Sequence, residues 1–236
     1  VPGKVKFCKF NDVSHLKKLV NKKTVAIIIE FVQGDGGINI CSKNFAKAIK
    51  GICKNKKILL IGDEIQGGIG RTGKIFAYKH YGVNPDIITS AKGLGSGIPI
   101  GATIVKKYIS KIISTGFHGS TFGGGMLQTR VSYNVFRTIN NKSFLNKVLI
   151  NGNLLSSLIK KMHLLHKDKI VDTRCLGLMA GVEFKNNQIA LKTYEKMSKN
   201  GLISTLIQGN IIRLTPPLIV STGEIIKAIK IITQSL

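Results

Sequence analysis

Three stretches of this chain place acids, amides and an amine just where apolar runs end. One run closes on Glu30 and leads into Phe31-Val32-Gln33-Gly34-Asp35-Gly36-Gly37, the next leads into Gly62-Asp63-Glu64-Ile65-Gln66, and a third into Thr89-Ser90-Ala91-Lys92-Gly93. Parallel sheets bind ligands outside the carboxyl ends of their strands, so these are the positions at which chemistry is expected. A carboxylate and a lysine on neighbouring strand ends can form a plain ion pair. They can also grip a cofactor that needs an acid at one end and an amine at the other.

A competing motif has to be set aside first. Gly68-Ile69-Gly70-Arg71-Thr72-Gly73-Lys74 matches the first seven positions of a phosphate-binding P-loop, but Ile75 stands where a hydroxyl should reach magnesium. Residues 63–67 also separate it from the preceding run. Gly93-x-Gly95-x-Gly97 lacks the spacing of a dinucleotide fingerprint and reads as a tight turn.

The elements that position these residues follow from periodicity. Residues 24–30 and 57–62 are apolar without alternation, as expected for strands of a parallel sheet covered on both sides. Between them, Phe45, Ala48, Ile49 and Ile52 recur three and four apart and share one helix face over residues 42–54. Further strands are expected at 86–90, after Asn84-Pro85, and at 100–106. Helical spacing returns from 126 to 139 and again over 144–166, with strand-like pieces at 181–184 and 211–214 and a closing helix at 223–234. The reading is an α/β domain with a mostly parallel sheet over residues 1–140 and a smaller C-terminal α+β domain over 141–236.

Composition narrows the partners. With 43% hydrophobic residues in 236, the chain can bury a real core. A formal net charge of +25 invites polyanions. The lysines are nevertheless spread along the chain among many Ile and Asn residues, a pattern of AT-rich codon usage, so no nucleic-acid partner is expected. Apolar runs are too short to span a bilayer. Cys8, Cys41, Cys53 and Cys175 lack the close spacing of zinc ligands or a redox pair, which points to no metal and a reducing compartment, the cytoplasm. No secretory signal opens the chain, and a start at Val1 suggests entry in the middle of a larger protein.

Asp63-Glu64-Ile65-Gln66-Gly67-Gly68-Ile69-Gly70-Arg71-Thr72-Gly73, Ser90-Ala91-Lys92-Gly93-Leu94-Gly95 and His118-Gly119-Ser120-Thr121-Phe122-Gly123-Gly124 together resemble the signature of the class III aminotransferases, in the family's order. Phe10-Asn11-Asp12 and Ile212-Arg213-Leu214-Thr215-Pro216-Pro217 resemble its acetylornithine subgroup. The resemblance implies the large domain of a fold-type I pyridoxal-phosphate transferase, incomplete at its N-terminus. It makes Lys92 the residue that forms a Schiff base with pyridoxal phosphate and moves the proton at the substrate α-carbon, which requires an unprotonated amine. By the same resemblance Asp63 pairs with the cofactor's ring nitrogen, Gln66 with its ring hydroxyl, and Ser120 and Thr121 with the phosphate of a neighbouring subunit, in a homodimer with shared active sites. Taken alone, Gln66 could be an exposed turn amide, and Ser120 and Thr121 caps of the helix that follows.

Arg213 resembles an arginine that pairs with an acid of the 33–37 loop and helps admit alternative substrate carboxylates. That acid is Asp35 here where Glu is usual. Glu30, a further substrate-side candidate, precedes Phe31 where the family has Pro, and Gly125-Met126 replaces its Asn-Pro. The family's N-terminal segments, which supply the main phosphate turn, a stacking ring and an arginine for the α-carboxylate, precede the stretch resembled. The implied reaction is transamination between N-acetylornithine and 2-oxoglutarate in arginine biosynthesis, with ornithine, succinyl-diaminopimelate or 4-aminobutyrate as alternative donors. A silent remnant that at most dimerises is a different reading, against which the survival of Lys92, Asp63, Gln66 and Thr121 speaks.

Overall fold

The computed structural model describes residues 4–236. A short helix α1 (Val13–Leu19) precedes β1 (Ala26–Glu30), α2 (Lys43–Lys56), β2 (Leu59–Asp63), β3 (Ile87–Ser90) and β4 (Ala102–Val105). The strands pair in sequence order; the first three are parallel and β4 runs antiparallel on the edge. Ser42 starts α2 by accepting the N–H of Phe45, and Lys57 ends it in a left-handed conformation. Phe45, Ala46, Ile49 and Cys53 are buried along one face of this helix. They meet Ile29, Phe31 and Leu60 of the sheet side, each large apolar side chain contributing roughly 1.5–3 kcal/mol.

Coverage of the sheet is uneven, which corrects the expectation of strands buried on both sides. Ile28 remains 64% exposed, and Ile61 and Ile87, its register partners on the same face, are only half-buried. Helix α2 and the segment carrying Ala77 and Val83 pack on the opposite face alone. The open face has a second property: Glu30, Asp63 and Thr89 form one cross-strand row at its carboxyl edge.

After α3 (Lys107–Ser110), residues 111–125 have no regular structure and lie almost wholly exposed. Helices α4 (Met126–Ile139) and α5 (Lys142–Leu165) then lead to a second sheet of β5 (Ile170–Leu176), β6 (Met179–Phe184), β7 (Thr205–Ile207) and β8 (Ile211–Leu214). Its order is β5-β6-β8-β7, antiparallel throughout, with α6 (Asn187–Lys199) and α7 (Thr222–Ser235) completing the layer. Val148, Leu155, Ile159, Phe184, Met197, Ile212 and Ile232 fill a core between this sheet and its helices. A smaller cluster of Val32, Ile38, Met179, Ile207 and Ile211 joins the loop after β1 to the second sheet. No helix among the described residues is long and apolar enough to cross a membrane.

Candidate functional site

The carboxyl ends of β1, β2 and β3 bring Glu30, Asp63 and the Lys92 turn to one edge, as the sequence pattern anticipates. One oxygen of Asp63, Oδ1, accepts both the N–H of Ile65 at 3.1 Å and the hydroxyl of Thr89 at 3.2 Å. The carboxylate is thereby fixed while Oδ2 takes part in neither bond. Glu30 accepts the N–H of Gly34 at 3.1 Å. Burial pushes its carboxyl above the ordinary range and the nearby charges of Asp63 and Asp35 add to this, while the Gly34 N–H and the charge of Lys92 pull it back.

Lys92 is exposed and adopts a left-handed φ of 44°, an unfavourable conformation for a residue with a Cβ. It opens a single 3-10 turn over Lys92–Leu94, directly after Ala91. Two residues before it, the Ser90 hydroxyl is buried without a hydrogen-bond partner.

Arg213, on β8 of the second sheet, reaches this edge from the other side. Its Nη1 donates to Asp35 Oδ1 at 2.6 Å and to Gln66 Oε1 at 3.3 Å, and Gln66 Nε2 donates in turn to Asp35 Oδ2 at 3.1 Å. The bond from Arg213 holds the Asp35 carboxyl below the usual range, with Gln66 and the charge of Lys92 acting in the same direction. The shorter arm of Asp35 therefore still meets Arg213. Gly34 makes room for the triangle, since a Cβ there would fall 2.2 Å from Gln66 Oε1. The Nε of Arg213 is buried without a partner.

Ser120 and Thr121 are not brought to this cluster within the chain. Both lie exposed between α3 and α4, and neither caps the following helix, which begins at Met126 with Gly125 as its N-cap and no side-chain bond. Gln66 is no free turn amide either, since both ends of its side chain are engaged.

Sequence reasoning overlooked two supports. Glu64 is fully buried, and its carboxylate accepts the N–H groups of Ala77 at 2.7 Å and Tyr78 at 2.8 Å, closing the glycine-rich loop after β2. Burial pushes its carboxyl up to about 7. Arg71, quoted in the P-loop decoy and in the family-like stretch 63–73 but given no role, is largely buried and donates from Nη1 to the carbonyls of Leu178 and Pro216. That desolvation lowers it to about 10. The place of Glu64 and Arg71 in the family-like stretch 63–73 was the one available signal for both.

The fold and the strand-end cluster define a class, and comparison supplies the family: the chain belongs to the class III aminotransferases, whose profile, Aminotransferase class-III, matches residues 3–236. Enzymes of this family use pyridoxal phosphate. The chain is 41% identical over 229 residues to the acetylornithine aminotransferase of Methanocaldococcus jannaschii, covering 95% of this chain and 56% of that protein. It is 38% identical to ornithine aminotransferase 1 of Staphylococcus saprophyticus, over 98% of this chain and 58% of the relative. Among solved structures, the acetylornithine aminotransferase of Elizabethkingia anophelis superposes with a TM-score of 0.89 at 32% identity, over 96% of this chain and 58% of that one. The chain thus spans less than two thirds of the length of the relatives it matches.

Proposed function

We propose that this chain carries the lysine side of a pyridoxal-phosphate site, and that the protein transfers an amino group between N-acetylornithine and 2-oxoglutarate. The observation that carries this reading is the single edge shared by Asp63, Lys92 and the Asp35–Arg213 pair. The residues present fit the cofactor at its ring side: a fixed carboxylate with one oxygen to spare, an amine on the adjacent strand end, and an unpartnered buried hydroxyl beside it. Bound pyridoxal phosphate supplies an electron sink for the carbanion left when a substrate proton is removed.

Asp63, with Oδ1 occupied by Ile65 and Thr89, would hold the cofactor's ring nitrogen protonated. Gln66, which bonds Asp35 and Arg213, would offer its remaining amide N–H to the cofactor's ring hydroxyl. The Lys92 amine takes the proton from the carbon bearing the amino group and returns it, which requires the amine to be unprotonated in the closed site. Arg213 rests on Asp35 when no second substrate carboxylate is present, and turns its planar guanidinium to a dicarboxylic 2-oxo acid when one arrives. Glu30, near Asp35, Asp63 and Lys92, sets the charge of that side of the site. Ser120 and Thr121 face outward on residues 111–125, from where they serve the phosphate site of a second copy in a homodimer. Residues 1–140 and 141–236 are proposed as separate domains, supported by two sheets with separate cores; residues 1–3 lie outside the described part. The expected compartment is the cytoplasm.

The test is glutamate formation from 2-oxoglutarate with pyridoxal phosphate and each of four donors. N-acetylornithine should lead ornithine, succinyl-diaminopimelate and 4-aminobutyrate by about tenfold, roughly 1.4 kcal/mol of transition-state preference. Lys92→Ala should abolish the reaction. A faster rate with another donor would reassign the substrate, and no glutamate from any of them would contradict transamination by this chain.

A further inference from the structure

Asp35 is held at both its ends by one hairpin of the second sheet. Its carboxylate meets Arg213 on β8, and its backbone carbonyl accepts a 2.7 Å hydrogen bond from Nε2 of Gln208, in the turn between β7 and β8. The two bonds cross 178 and 173 residues of sequence. Gln208 makes its bond from a left-handed backbone, φ 53°, in a turn that continues with Gly209 at φ 77°. A glutamine gains nothing from that conformation by itself, so the contact it delivers is what the position offers. Beneath it, Ile207 and Ile211 pack on Val32 and Ile38, which fixes the hairpin to the loop on either side of Asp35.

The geometry points to Gln208 as a positioning residue that draws the 33–37 loop inward, so that the short carboxylate arm of Asp35 reaches Arg213. Aspartate has one methylene less than glutamate, and the Asp35 side chain is 73% exposed, so only its bonds to Arg213 and Gln66 and the pull of Gln208 on its carbonyl place the carboxylate. Losing the pull on the carbonyl lets the loop relax outward and frees Arg213. This rests on the reading of Asp35 and Arg213 as a switch for substrate carboxylates. Without Gln208 the switch stays open, and dicarboxylates bind without having to displace Asp35.

The test follows the Asp35 carboxyl by carbon-13 NMR in the full chain, assigned by its loss in Asp35→Asn. The charged groups facing it are Arg213 from β8, Lys92 from the turn after β3 and Glu30 from β1, with the neutral amide of Gln66 beside them. Gln208→Asn keeps a residue tolerant of the left-handed turn while shortening the arm; Gln208→Ala removes it. Both should raise the Asp35 titration by about half a unit or more as Arg213 withdraws. Adding Asp35→Glu to Gln208→Ala should bring the carboxyl low again, because the longer arm spans the gap. An unchanged titration in both Gln208 variants would overturn the proposal, as would failure of the longer arm to rescue. Glutarate binding separates this from the reading beneath it. Asp35→Asn and Gln208→Asn should each tighten glutarate several-fold, whereas no gain in Asp35→Asn would remove the carboxylate switch itself.

Discussion

Glu64 touches none of the residues proposed for chemistry except as the neighbour of Asp63, yet it holds the loop that carries Gln66 in place. Leaving the N–H groups of Ala77 and Tyr78 unmet in Glu64→Ala should cost roughly 2–4 kcal/mol of unfolding free energy, read from urea denaturation. Its titration gives a second expectation. Burial pushes the carboxyl from an ordinary value of 4.5 up to about 7, the two N–H bonds recovering only part of the shift. The folded chain therefore binds this proton more tightly than the unfolded chain. The corresponding stability is fully present below about pH 4.5 and is lost as pH rises through about 7. Glu64→Gln cannot titrate and should flatten the stability slope across that window; a slope that survives the replacement contradicts the assignment. Asp35 behaves oppositely, for its pairing is largely exposed. Asp35→Asn should cost under about 1 kcal/mol, so any large effect on ligand binding would not be one of folding. Asp63 and Lys92 were legible in the sequence because strand ends mark them, and Arg213 through its motif. Glu64 and Gln208 were not, since their partners are set by tertiary contacts that no local spacing encodes.

At the scale of elements, the β1-α2-β2 unit, α4, α5, β8 and α7 could be read within a few residues because their apolar periodicity is strong. The sequence reading omitted α1, α3, β5, α6 and β7. Helix α1 buries only Leu16, β5 interrupts its apolar pattern with Asp172 and Arg174, and α6 uses Ala190 and Thr193 beside Met197 as its buried stripe. Strand β7 has three residues, too few for a pattern. The junction between the sheets was invisible for another reason: part of it is made on backbone carbonyls of segments far apart in sequence. Leu178 donates its N–H to the Arg71 carbonyl at 3.0 Å while the Arg71 guanidinium donates back from Nη1 to the Leu178 carbonyl at 3.0 Å. Beside it, Gly177 sits at φ 58°, where a Cβ would fall 2.4 Å from the backbone of Thr72. Gly177→Ala should therefore lower stability by roughly 2 kcal/mol or more through strain and forced separation of the two strands of chain. An unchanged urea midpoint would show that this junction yields easily.

Over the whole molecule, 36 basic side chains face 11 acidic ones, and several of the acids are already committed to Lys106, Arg174 and Arg213. The remaining lysines repel one another. Raising salt from about 10 mM to 0.3 M shortens the screening length severalfold and should raise the thermal midpoint. A midpoint that falls with salt would mean that attractive pairs dominate instead. Residues 111–127 expose Ile112, Phe117, Phe122 and Leu127, apolar area of the kind a second copy would cover, so sedimentation should report a dimer at micromolar concentration. The most direct test of the account is borohydride reduction of the chain with pyridoxal phosphate, followed by mapping of the modified residue. The account predicts a visible absorption band that disappears on reduction, with the label on Lys92 and none in Lys92→Ala. No band, or a label scattered over many of the lysines, would contradict it.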